Sequence, residues 1–113
     1  MYSLSKVAKM IKHIVLLTLS EGISLKQINL ILQKLVALRQ ELRIHSFASG
    51  NYSSPEGLNR GYNFAFIMEF LNSSDRDHYL SHPKHIEIAQ NEILPLLADG
   101  INSALAFDFQ ATL

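Results

Sequence analysis

The sequence predicts one α+β domain on the ferredoxin-like β-α-β-β-α-β plan, with a four-stranded antiparallel sheet that packs against the sheet of a second copy. Three observations predict it. Four stretches carry the β-branched, aliphatic and aromatic residues of strands, and two helical regions fall between the first and second and between the third and fourth. The 113 residues are close to the commonest size of a single domain. Finally, the first and third strands are apolar on both faces, which one monomer cannot satisfy.

The first strand is IKHIVLLTL, Ile11–Leu19, ended by Gly22. Ser24 with Gln27 three residues on is a capping-box pattern and starts a helix over Leu25–Glu41. Apolar residues at Leu25, Ile28, Leu32, Leu35 and Val36 make its stripe, widened by Ile31 and Leu38. A shorter strand covers Ile44–Ser49, and GNYSSPEGLNRG is a loop by composition. The third strand is Tyr62–Phe70, with aromatic alternation. Ser73 or Ser74 caps a short helix ending near Ser81. Pro83 starts another helical piece, which Pro95 bends or ends. SALAFDFQ, Ser103–Gln110, is the last strand. Residues 10–113 read as the domain and residues 1–9 as an extension.

Composition excludes several classes. Ten basic and ten acidic side chains cancel, with no basic stripe, so nucleic acid is not an expected partner. The chain has no cysteine, which removes disulfides, thiolate catalysis and cysteine-ligated metal, and fits the cytoplasm. Lysines precede the apolar run Ile14–Leu19, but the run is far too short to span a bilayer and lacks a small-residue cleavage site. SPEGLNRG is not a phosphate loop, because no Gly-Lys-Ser/Thr follows. The expected cofactor and metal content is none, and no membrane association is expected.

The strands carry the argument for assembly. In the first, His13, Val15, Leu17 and Leu19 share one face, and Ile14 and Leu16 dominate the other. In the third, Phe64, Phe66, Met68 and Phe70 lie opposite Ala65 and Ile67. Two helices cover only one face of the sheet, and monomers rarely leave several hundred Å² of apolar surface in water. A homodimer packed sheet to sheet is the expected solution.

The motifs MIKHIVLLTL, SPEGLNRGYNFAFIMEF, YLSHPKH and ALAFDF, in this order, resemble the stress-responsive A/B barrel domain over about Met10–Phe109. The resemblance implies a ferredoxin-like fold that dimerises into an α+β barrel. Known members include boiling-soluble plant stress proteins and a plant polyketide cyclase that closes a tetraketide ring by aldol condensation. The cyclase's pocket histidine on strand one, its helix tyrosine and the second histidine of its HP-x-H motif match His13, Tyr79 and His85. A further cyclase histidine follows its GYT. Here the text is GYNF, and Phe64 stands in that place.

Each candidate also has a plainer reading. His82 precedes Pro83, so it falls at a helix N-cap and reads as structural. His85 then lies in the first helical turn, where the dipole disfavours imidazolium. It is either a neutral general base or a partner of nearby backbone. His13 is a hydrogen-bonded core residue or a catalyst, and Tyr79 packs or donates a hydrogen bond to a substrate oxygen. Phe64 and Phe66, facing Ile31, Leu32, Leu35 and Val36, form core or, where space remains open, an apolar ligand site. His45 and His78 have no motif support. Zinc at His82 and His85 lacks a third ligand, and Pro83 breaks their helical register.

Two classes of function follow. One is a small stress-associated dimer that binds an apolar or aromatic ligand without chemistry. The other is a cofactor-free cyclase- or lyase-type enzyme with a neutral histidine as base. An open cavity at which His13, Tyr79 and His85 converge favours the enzyme, and a filled one favours the binding protein.

Overall fold

The computed structural model describes residues 9–112, so the expected extension at 1–9 lies almost wholly outside the described residues. The elements are β1 (Ile11–Leu17), α1 (Leu25–Ala37), α2 (Arg39–Leu42), β2 (Ser46–Asn51), β3 (Phe64–Phe70), α3 (Ser73–Ser81), α4 (Pro83–Ile88) and β4 (Ala104–Gln110). After α4 the chain continues through a widened π turn (Ala89–Ile93) and two 3-10 turns (Leu94–Leu96 and Gly100–Ser103). The sheet is antiparallel throughout, in the order β2-β3-β1-β4. This is the expected ferredoxin-like plan. Among the described residues, no helix is long and apolar enough to cross a membrane.

Local chemistry sets the ends of the elements, and several differ from the sequence expectation. The Ser24–Gln27 capping box forms at the start of α1. The helix pauses at Leu38 and resumes as the single turn α2, where Glu41 was expected to close one continuous helix. The β1 ladder stops at Leu17 instead of Leu19. The Asn63 side chain takes over there, accepting from the Leu19 N–H at 2.9 Å and donating to its carbonyl at 3.2 Å. The same diversion starts β3 at Phe64 rather than Tyr62. Ile44 is buried, with its N–H on the Arg39 carbonyl, so β2 begins later than expected, at Ser46. Asn72, not a serine, caps α3, accepting from the Asp75 N–H at 2.8 Å.

Alternation decides the two faces of the sheet. Ile11, His13 and Leu17 of β1 and Phe64, Phe66, Met68 and Phe70 of β3 turn toward the helices and are buried. They meet Ile28, Leu32 and Leu35 of α1 in the core. Among the described residues, no helix covers the opposite face. Ile14, Leu16, Ala65 and Ile67 are half-buried there, and Leu105, Phe107 and Phe109 of β4 are 40%, 60% and 42% exposed. Register puts Phe107 beside Ile14 and Leu105 beside Leu16, so this apolar surface is continuous. One end of it is polar, where Lys12 and Ser46 both bond Glu69.

Candidate functional site

The register of β1 positions the first candidate side chain. His13 lies between Met68 on β3 and Asp108 on β4, on the helix-facing side of the sheet. Only 5% of it is exposed. Its Nδ1 is 2.6 Å from Asp108 Oδ1. A carboxylate only accepts, so Nδ1 carries a hydrogen, and in the neutral form of the ring the unshared pair is on Nε2. The second Asp108 oxygen accepts from Arg76 Nη1 at 3.1 Å, while Arg76 Nε donates to Asp77 at 2.8 Å. Asp77 and Asp108 hold the guanidinium pKa above its ordinary value.

The α3–α4 junction supplies the other two. His82 ends α3 in extended backbone and caps α4, its Nδ1 accepting from the Lys84 N–H at 3.1 Å. Pro83 at the first helical position then restarts the chain in a new direction. Tyr79, in the last turn of α3, and His85, in α4, thereby pack ring against ring, tilted by 36° with centroids 4.1 Å apart. The Tyr79 ring is also 5.8 Å from that of His13 and 5.3 Å from that of Phe70.

His85 Nδ1 lies 3.3 Å from the Leu80 carbonyl. A carbonyl likewise only accepts, so this ring also keeps its unshared pair on Nε2. Burial pushes the His85 pKa down; the hydrogen bond with the Leu80 backbone opposes it in part, and the nearby His13 and His82 add smaller pushes downward. Burial alone pushes the Tyr79 phenol far up, so it stays a neutral donor. Among the described residues its hydroxyl has no hydrogen-bond partner.

All three side chains line one open cavity of about 370 Å³ between the sheet and the second helical region. Ala104 and Ala106 on β4 and Ala89 beyond α4 lie along it, and their small size leaves the space. Leu80, Ile86 and Ile101 bring apolar surface to the wall, and each is substantially exposed. Gln90 is the remaining polar lining residue, and no lysine or arginine is in the wall. Such a site suits a neutral molecule. It offers two imidazoles and one phenol, groups able to take a proton at one atom and donate a hydrogen bond at another. Among the described residues, no group of three or more His, Asp or Glu is placed to hold a metal ion.

Of the residues expected to hold a ligand, Phe66 lines this cavity and the others do not. Phe64, Leu32 and Leu35 are sealed in the core, where α1 packs with no space left, and Ile31 packs against that core. Val36 borders surface grooves near α2. Phe64, which stands where the cyclase has a histidine, therefore presents nothing to the cavity. His78 bonds the Glu41 carbonyl at 2.8 Å and His45 is exposed, so neither belongs to the site. Sequence reasoning missed Asp108 and Arg76. Asp108 had a signal, as the one charge in the apolar run ALAFDF, whereas Arg76 lies among the charges of SSDRDH and had none.

The model of the stress-responsive A/B barrel domain matches residues 11–111. A dimeric ferredoxin-like protein of unknown function from Jannaschia sp. CCS1 is 22% identical, with a TM-score of 0.79 over 90% of this chain and 99% of that one. A protein from Arabidopsis thaliana is 25% identical, with a TM-score of 0.77 over 91% and 96% of the two chains. The hydroxynitrile lyase of Passiflora edulis is 19% identical, with a TM-score of 0.75 over 93% and 95%. No curated protein matches the chain.

Proposed function

The chain belongs to the stress-responsive A/B barrel family, and from that premise we propose that it is a homodimer whose cavity binds a small, neutral, apolar or aromatic ligand. The observation that carries the binding site is the cavity itself. It is apolar over most of its wall, and three of its polar residues, His13, Tyr79 and His85, stand together in that wall. The dimer is supported by the continuous apolar face that, among the described residues, no helix covers. Several related folds are described as dimeric, including the Jannaschia protein. The reducing cytoplasm is the proposed compartment, from the absence of cysteine.

A second reading goes further, to cofactor-free proton transfer of the cyclase or lyase type. It is favoured by the convergence of the three side chains on open space. A neutral His85 or His13 takes a proton from carbon α to a carbonyl while the Tyr79 hydroxyl hydrogen-bonds the carbonyl oxygen, where negative charge develops. The test is a panel of neutral aromatic and polyketide-like ketones. Binding is followed by ligand-observed NMR, and α-proton abstraction by loss of deuterium from labelled ligand. Binding without exchange leaves the binding protein and ends the enzyme reading. If no member of the panel shows binding in the ligand spectra, the binding reading fails too.

A further inference from the structure

We propose that Arg76 is a positioning residue for the cavity, acting through Asp108 to fix the tautomer and the basicity of His13. The proposal deepens the functional reading above, since it concerns the same site. Arg76 does not line the cavity. It reaches from α3 to the edge strand β4 and occupies the Asp108 oxygen that His13 does not use. The three groups thus form a chain, guanidinium to carboxylate to imidazole, running from half-exposed surface to a buried ring.

The chain has two consequences. With one oxygen on Arg76, the carboxylate presents the other to His13 Nδ1 in a fixed direction, which holds the hydrogen on Nδ1 and the unshared pair on Nε2. The arginine also neutralises the carboxylate. An unpaired Asp108 would draw a proton onto His13 and favour imidazolium, which is useless as a base and poorly matched to an apolar ligand. Other groups face His13 as well. Tyr79 from α3 stays neutral, and His85 from α4 is disfavoured from charging by burial. Phe70 of β3 packs against the ring and carries no charge. Lys12 and Glu69 pair with each other on the opposite face of the sheet. The charged group bonded to His13 is therefore Asp108, with Arg76 behind it.

The experiment is an NMR titration of the histidine rings in the full chain, without ligand. Wild-type His13 should show the neutral Nδ1–H tautomer in long-range nitrogen–proton spectra. Arg76→Leu should raise the His13 midpoint by about one pH unit, with Arg76→Lys close to wild type. In an Asp108→Asn background, Arg76→Leu should move the midpoint much less, which separates action through the carboxylate from direct repulsion. An unchanged midpoint in Arg76→Leu overturns the proposal, because a merely structural ion pair would alter melting and not titration. A wild-type ring protonated on Nε2 overturns it as well, and needs no variant to fold. No ligand enters the titration. Its failure therefore removes Arg76 alone, while failure of the ligand panel leaves the titration result standing.

Discussion

Phe107→Ala should weaken the dimer by about a thousandfold. Phe107 lies on the uncovered face, on the edge strand β4 beside Ile14, and keeps 60% of its surface exposed in the monomer. A phenylalanine presents on the order of 200 Å², so about 120 Å² is left for a partner to cover, or about 3 kcal/mol at ~25 cal/mol/Å². Alanine keeps part of that contact, leaving a loss of about 2 kcal/mol per protomer and about 4 kcal/mol for two symmetric copies, close to three factors of ten in Kd. The monomer should tolerate the change, because the ring makes no part of the buried core. Sedimentation velocity over a dilution series measures the effect, with far-UV circular dichroism and melting at low concentration as the folding control. A wild-type chain that sediments as a stable monomer at micromolar concentration refutes the reasoning. So does a Phe107→Ala dimer as tight as wild type, since the sheet face would then not be what the copies share.

Other outcomes test the site and its supports. His82→Ala removes the acceptor for the Lys84 N–H, and should cost about 1 kcal/mol of stability in denaturant melts while changing ligand affinity little. Tyr79→Phe keeps the buried ring stack and removes only a hydroxyl that has no protein partner among the described residues. It should leave the melting temperature within a few degrees and reduce binding or turnover of carbonyl ligands about tenfold, read by titration calorimetry. His85 has a depressed pKa in the folded chain. The unfolded chain therefore binds the proton first, and the stability His85 contributes is complete above about pH 6.5 and is lost as pH falls through the lowered folded value. His85→Gln should flatten the acid side of the stability curve, and an identical slope in the variant would place the dependence elsewhere.

The order of elements was legible because periodicity reports which side chains seek burial, and the two-sided strands reported a surface that α1 to α4 leave open. Element ends were less legible, because side chains compete for backbone groups there. Asn63 illustrates it. Nothing in GYNF announces that its amide will bridge both backbone groups of Leu19, yet that bridge ends one strand and delays another. Asn72 took the cap from two neighbouring serines for a similar reason, the position of its oxygen relative to the Asp75 N–H.

The site was legible in a different way. His13, Tyr79 and His85 were picked out by resemblance, whereas the α1 residues were picked out by the stripe that faces inward. A stripe says which way a side chain points and nothing about whether the space before it is filled. Ile31, Leu32 and Leu35 point inward into a packed core, and the open space lies elsewhere, beside Ala89, Ala104 and Ala106. Small residues leave a cavity only when they oppose one another in three dimensions, and no spacing in the sequence encodes that. The same limit hid Arg76. Its meaning depends on β4 being the edge strand next to β1, with Asp108 registered on His13. The chain of charge therefore arises from sheet order, and a one-residue slip of β4 would turn Asp108 to the open face and break it.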